Sequence, residues 1–202
     1  MKRLRIKELA LVGVLGAAAY VLLLARFPLP FMPPFMDFDL SGIPEILGII
    51  TIGPLGGIWV ALVKILVKLA FSGTISMFTG EIQNLILSCA YLLPIGAIYR
   101  RDRSQKGLLR GLVLGTLLCS VVAVFSNMFM IIPFYAKVYG FSIEQVIEST
   151  RAVNPLVNSV WKFVLLGILP FNIIKGGVTS TVAYMLQPAL TRALEKEKSH
   201  AV

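Results

Sequence analysis

Histidine occurs once in the 202 residues, as His200. A histidine-ligated metal site or a histidine-based nucleophilic triad within the apolar body is thereby excluded. There is no Gly-x-Ser-x-Gly elbow, no Walker A loop, and no pair of carboxylates within one apolar span for acid–base work. The chain therefore reads as a non-enzyme without cofactor or metal, and any ATP-driven work would fall to a partner. Cysteine is nearly as scarce. Cys89 and Cys119 both stand in apolar segments and read as buried free thiols rather than a disulfide. Charge is the most telling shortage. Charged residues make up 14% of the chain, against about 25% in soluble domains. Hydrophobic residues make up 57%, and the mean hydropathy is +0.84. These values define an all-α integral membrane protein. With about 20 residues per spanning helix, there is room for five to seven spans in a single domain covering 1–202. Neither an internal repeat nor a low-complexity tract is present.

The net charge is +9, and its distribution says more than its sum. The basic residues cluster at Lys2, Arg3, Arg5 and Lys7, then at Arg100, Arg101, Arg103, Lys106 and Arg110, and finally at Arg192, Lys196 and Lys198. The positive-inside rule places all three clusters, and so both termini, on the cytoplasmic side of a cell membrane. The clusters flank spans and lack interleaved aromatics, which argues against nucleic acid as a partner. The apolar run 9–25 is long and no polar cleavage region follows it, so it reads as a span rather than a leader.

Span one is expected over 8–26. Pro28, Pro30, Pro33 and Pro34 then enforce a stiff, aromatic external loop. Ser41 offers a helix N-cap with Pro44 in the first turn. Residues 46–63 carry no charge, but Gly53-Pro54-Leu55-Gly56-Gly57 interrupts them. One kinked helix and two short helices are both possible there. Two helices, 42–53 and 55–72, bring the count to six spans and put every basic cluster on one side, whereas one helix would not. Gly73–Thr79 reads as an external turn, 80–99 as span four and 108–134 as span five. Residues 137–153 can form a short interfacial amphipathic helix. Trp161 marks 155–169 as a shallow external helix that ends before Pro170, leaving 171–191 as span six.

Against this apolar background four polar residues stand out: Asn84, Asn127, Asn172 and Lys175. A membrane-embedded amide or amine is costly unless satisfied, and such residues face a bundle interior or cavity. In the expected topology they converge near the external ends of their spans, with Glu81 one turn from Asn84 and the Pro-rich loop placed to act as a lid. An apolar pocket with a few placed polar groups suits a neutral, planar, hydrogen-bonding solute. Plainer readings stay open. Asn84 and Asn127 can be interhelical glue, worth about 0.6 kcal/mol on average. Lys175 can snorkel, and Glu81 can simply favour a helix N-terminus. Lys64 and Lys68 are unexplained. On span one, Gly13 and Ala17, or Ala10 and Val14, form a small-residue face that lets another helix approach closely.

Taken in order, several segments carry a resemblance over nearly the whole chain. They are Phe27-Pro28-Leu29-Pro30-Phe31-Met32-Pro33-Pro34-Phe35, Asp39-Leu40-Ser41-Gly42-Ile43-Pro44, Gly53-Pro54-Leu55-Gly56-Gly57, Gly80-Glu81-Ile82-Gln83-Asn84, the helix end from Pro94 to Arg100, and Asn172-Ile173-Ile174-Lys175. The chain resembles the substrate-binding S components of energy-coupling factor (ECF) vitamin transporters, specifically the riboflavin-binding type. The resemblance implies a six-helix bundle with a Pro-rich external lid loop that captures riboflavin from outside. It also implies that the face with Ala10, Gly13 and Ala17 docks on a membrane T component coupled to two ATPase subunits. Here that face departs from the family's usual alanine pair. For such a ligand, an asparagine amide, from among Asn84, Asn127 and Asn172, suits the pyrimidine edge of the ring, Lys175 suits a ring carbonyl or a ribityl hydroxyl, and Phe31, Phe35, Met36 and Phe38, next to Asp37, suit the dimethylbenzene end. Glu81, Thr79 and Asn84, with Gly80 between them, suit the ribityl chain. Another vitamin (thiamin or biotin), a structural or assembly protein without ligand, and a stand-alone facilitator are the alternatives.

Overall fold

A computed structural model describes residues 5–30, 32, 36–140 and 142–200. Helix α1 (Ile6–Leu24) leads to two short strands, β1 (Phe27–Pro28) and β2 (Asp37–Phe38). They pair antiparallel, with Phe27 opposite Phe38 and Pro28 opposite Asp37. The Pro-rich segment is thus a loop pinched at its base. Pro28 has no N–H to give, which fits so short a ladder. An Arg26–Asp37 ion pair at 3.3 Å and a Phe27–Phe38 ring contact at 5.5 Å reinforce the pinch.

The break at Gly53-Pro54 is real. α2 (Gly42–Thr51) and α3 (Gly56–Ser72) are separate helices. Gly53 sits at φ +125°, a conformation a side chain would resist, and Pro54 follows it. α4 (Thr79–Arg101) and α5 (Gln105–Ser126) run antiparallel across a short turn in which Ser104 accepts a 3.1 Å hydrogen bond from the Gly107 N–H. The main core lies between α2, α4 and α5, built on Ile46, Ile49, Tyr91, Leu92, Ile95, Leu108 and Leu112.

α5 continues without a break through a π-helical turn, π1 (Asn127–Ile131), into α6 (Ile132–Tyr139). The amphipathic helix expected within 137–153 is α7 (Ile143–Arg151). The last rod runs through α8 (Val160–Phe163), a second π-turn, π2 (Val164–Ile168), and α9 (Leu169–His200). This corrects the expectation of a separate shallow helix ending before Pro170. Proline interrupts an α-helix by losing a donor and clashing with the carbonyl four residues back. Here the preceding turn is widened, with the Leu169 N–H reaching back five residues to Val164 O. The backbone before Pro170 therefore does not keep the α-register that proline breaks. Pro133 follows π1 at the same spacing, after the Ile132 N–H bonds Asn127 O. Both are cases of π-turns that let a long helix absorb a local fault.

Among the described residues, four helical stretches are long and apolar enough to cross a bilayer: Ile6–Leu24, Thr79–Arg101, Gln105–Val138 and Val160–Arg192. The ten residues of α2 span about 15 Å, half of a hydrocarbon core of about 30 Å. The protein is an all-α, multi-pass membrane bundle.

α3 carries a charge into this interior. Lys64 and Glu45 are each 2% exposed, with Lys64 Nζ 2.6 Å from Glu45 Oε1. Glu45 Oε2 accepts from Ser88 Oγ at 3.1 Å, and Lys64 donates to Ser41 Oγ at 3.3 Å. Lysine and carboxylate are thus partnered across α2, α3 and α4. Removing one partner of a buried pair leaves the other uncompensated, at a cost of about 3–5 kcal/mol, whereas replacing both with apolar residues is often tolerated. Lys64→Met is therefore expected to lower the thermal unfolding midpoint in detergent sharply, and Lys64→Met with Glu45→Leu to recover most of it. A single variant as stable as wild type would show that the pair does not hold α2 to α3.

Candidate functional site

The base of the Pro-rich loop, the start of α4, the π1 end of α5 and the start of α9 meet at one end of the bundle. Two apolar clusters build this end. One joins Ala123 and Val124 of α5 to Val157, Phe163, Val164 and Ile168, with Leu87 and Met128 packed against it. The other joins Met32 and Phe38 of the loop to Phe171 of α9. Met36 packs against both, so the loop is folded down onto the helix ends.

The expected polar residues emerge from these clusters in two groups. Asn127 and Asn172 behave alike. Asn127 Nδ2 donates to Ala123 O and Asn172 Nδ2 to Ile168 O, each at 2.8 Å. A backbone carbonyl only accepts, so each amide must turn its nitrogen inward to the helix. Its oxygen and one remaining N–H are left for something else. The Asn84 oxygen, one turn before Leu87, is buried without a hydrogen-bond partner among the described residues. Lys175 makes an ion pair of 2.5 Å with Asp39 and lies 6.0 Å from the centre of the Phe171 ring.

Asp39 was not among the residues singled out from the sequence. It lies 136 positions from Lys175, and only the need of an embedded lysine for a counter-ion could have pointed to it. Burial alone would push the Asp39 carboxyl up. The Lys175 ammonium, with the Ser41 side chain and backbone N–H, outweighs that and holds the carboxyl below its ordinary value. Through the Ser41 N–H bond of 2.9 Å, Asp39 also connects to the Lys64–Glu45 pair.

Glu81, Thr79 and Gly80 do not join the asparagines through any described bond. Glu81 pairs with Lys68 and accepts from Thr74 Oγ1 at 3.1 Å and Ser76 Oγ at 2.9 Å. Thr79 donates to Ser76 O, and the Gly80 N–H donates to Ser76 Oγ at 3.0 Å. All three are engaged in closing the α3–α4 turn, which also gives Lys68 its partner. Of the loop residues, Phe38 is buried, Met36 is half-buried, and Asp37 is tied to Arg26. Phe31 and Phe35 lie outside the described residues. Gln83 also escaped the sequence reading. Its Nε2 donates to Ser126 Oγ at 2.9 Å, bridging α4 to α5 beside Asn127.

On α1, Val12, Gly16 and Ala19 are buried against α3, and a Cβ on Gly16 would stand 2.4 Å from Val63 Cγ1. Ala10, Gly13 and Ala17 are exposed on the remaining surface, and Gly13 has open space beside it.

An apolar bundle with a polar wall at one end, packed beneath the described part of a pinned loop and carrying no reactive grouping among the described residues there, is the arrangement of a membrane subunit that holds a small solute. The relatives agree. The family model for the substrate-specific component of ECF transporters matches residues 7–187, and the chain belongs to that family, as a non-enzymatic transport subunit. It is 34% identical over 190 residues to the riboflavin transporter RibU of Staphylococcus aureus (strain TCH60), covering 94% of this chain and 93% of that one. It is 30% identical over 197 residues to the riboflavin transporter FmnP of Bacillus subtilis (strain 168), covering 97% and 98%. A solved structure of the S component of a bacterial ECF transporter superposes with a TM-score of 0.73 at 34% identity, over 93% of this chain and 97% of that one.

The Asp39–Lys175 pair gives a pH-dependent test. Its contribution to stability is full above the ordinary carboxyl value of 3.8 and is lost as pH falls through the lower folded value. Asp39→Asn is expected to lower the unfolding midpoint at neutral pH, with the gap to wild type closing below pH 3.8. A gap that persists unchanged at low pH would rule out the ion pair as its source.

Proposed function

We propose that this chain captures riboflavin from outside the cell and hands it to an ATP-driven ECF assembly. The observation that carries the reading is the orientation of Asn127 and Asn172. Each spends one amide proton on its own helix and presents a carbonyl oxygen with one N–H. Riboflavin's pyrimidine edge offers two carbonyl acceptors flanking an N–H donor, a pattern that such amides complement with Lys175 as a further donor. Because both asparagines bond their own helices, these bonds do not join helix to helix, which favours a ligand role over interhelical glue. Met36, Phe38 and Phe171 supply apolar contact for the ring, and a site built to satisfy these polar groups rejects analogues that lack them. The names of the relatives point to the same vitamin.

The polar wall then faces outward and both termini face the cytoplasm, as the three basic clusters require. α2 and α3, joined at Gly53-Pro54, complete a six-segment bundle with the four longer stretches. The open face of α1, with Ala10, Gly13 and Ala17, is suited to close approach by a helix of a membrane T component that couples to two ATPase subunits.

Protein purified in detergent and dialysed is expected to retain a flavin absorption band or, when colourless, to quench added riboflavin fluorescence. The absence of both signals would sink the riboflavin assignment. Asn172→Ala should weaken riboflavin binding by about tenfold or more with little change in unfolding midpoint, whereas Lys175→Ala should weaken it as much and also lower the midpoint, because buried Asp39 loses its partner. Loss of stability without loss of affinity would return these residues to a structural role. Gly13→Leu with Ala17→Leu should leave riboflavin binding intact while abolishing ATP-driven uptake in liposomes that also contain the T component and ATPases. Uptake by this chain alone would instead make it a facilitator.

A further inference from the structure

The sequence assigned the ribityl end of the ligand to Glu81, Thr79 and Asn84, but Glu81 and Thr79 are committed to the α3–α4 turn. The start of α4 nevertheless holds a second amide with an unmet need. Ser126 Oγ donates to Val122 O at 2.7 Å, so its hydroxyl proton is spent on the backbone and its oxygen is free to accept. Gln83 must therefore turn its Nε2 toward Ser126, as it does at 2.9 Å. This fixes the orientation of the amide by chemistry rather than by choice, and leaves Oε1 directed away from Ser126. That oxygen is buried and has no hydrogen-bond partner among the described residues, and the same holds for Oδ1 of the neighbouring Asn84. An unmet buried acceptor is costly, and consecutive residues carry two of them.

Both oxygens demand donors. Leu87, three and four residues further along α4, packs into the cluster from which Asn127 and Asn172 emerge. Side chains at those spacings share a helix face, so Gln83 and Asn84 flank the same polar wall. The ring's carbonyls cannot satisfy them, since carbonyl does not donate to carbonyl, and its single N–H, which faces the amides of Asn127 and Asn172 in the reading above, cannot answer two further acceptors. Hydroxyls can.

We propose that Gln83, held by Ser126, is a specificity-determining residue that accepts a hydrogen bond from a hydroxyl of the ligand's polyol chain, with Asn84 as its companion acceptor. The inference rests on the riboflavin reading above and adds to it which residues read the chain rather than the ring. Ser126 acts on the ligand only through Gln83 and is a positioning residue.

The test compares riboflavin with lumiflavin, which bears a methyl group where riboflavin bears the ribityl chain, by fluorescence quenching on the purified full chain. Gln83→Leu is expected to weaken riboflavin binding about tenfold and to leave lumiflavin binding within about twofold of wild type. Ser126→Ala should show the same selectivity with a smaller loss, and gives the readout where Gln83→Leu does not fold. An equal loss for both ligands would make Gln83 a packing residue, and no loss for either would remove it from the site. A wild-type chain that binds riboflavin but not lumiflavin at all would make the polyol the main anchor, more than two neutral acceptors can supply, and would also overturn the assignment. A wild-type chain that binds neither flavin overturns the riboflavin reading itself, and the role of Gln83 with it.

Discussion

Charge that enters the membrane interior must be answered there, and this requirement organises the protein. Lys64, Lys68 and Lys175 sit on helices of an apolar bundle, and each meets a carboxylate: Glu45, Glu81 and Asp39. Two of the three answers are linked. Ser88 donates to Glu45, Glu45 pairs with Lys64, Lys64 donates to Ser41, the Ser41 N–H bonds Asp39, and Asp39 pairs with Lys175. This chain of contacts ties α4, α2, α3, the loop and α9 together with polar groups that would each be expensive alone. It also explains why the Pro-rich loop is folded down. Asp39 cannot reach Lys175 unless the segment before α2 lies against the start of α9.

The asparagines depend on a different device. Asn127 opens the π1 turn and Asn172 follows the π2 turn within four residues. A π-turn widens the helix and disturbs the ordinary pairing of N–H with carbonyl, and Pro133 and Pro170 each remove a donor shortly afterwards. In this stretch the side-chain amides of both asparagines donate to a backbone carbonyl four residues back. An asparagine beside a π-turn, with its amide nitrogen turned back to its own helix, is thus a construction repeated on the two rods that meet at the candidate site.

Much of the architecture was legible because it rests on local chemistry and on the bilayer. Gly53-Pro54 breaks the helix for reasons of backbone conformation, and the side on which the basic clusters fall was enough to choose two helices over one. The misreading at Pro170 has the same origin. Proline's effect is local, but its tolerance depends on a register shift in the preceding turn, which leaves no compositional mark in Val164–Ile168. In the candidate site, Asn127, Asn172 and Lys175 were visible because a polar residue in an apolar run is anomalous. Asp39 and Gln83 were not, since each stands among other polar residues where one more attracts no notice. Glu81, Thr79 and Gly80 were conspicuous in the sequence, and the structure shows them bonded within the α3–α4 turn. They cluster in sequence because they cap a turn and shelter Lys68, a task that only the fold of Thr74 and Ser76 around them reveals.

The two faces of α1 relate this interior to the outside of the bundle. Val12, Gly16 and Ala19 pack on α3, so closely that a Cβ on Gly16 would lie 2.4 Å from Val63 and 3.4 Å from the backbone nitrogen of Lys64. α3 is therefore held on one side by contact with α1 and on another by the Lys64–Glu45 pair. Ala10, Gly13 and Ala17 touch neither, and remain on the surface. The position of that small-residue surface relative to the polar wall is consequently fixed through α3 together with the direct packing of α1 on α2: dispersion contacts set the distance between α1 and α3, and the buried ion pair sets the place of α3 against α2. Because close packing tolerates little change at such an approach, a side chain introduced at Gly16 would disturb the alignment of surface and site together, whereas one at Gly13, where space is open, would alter the surface alone.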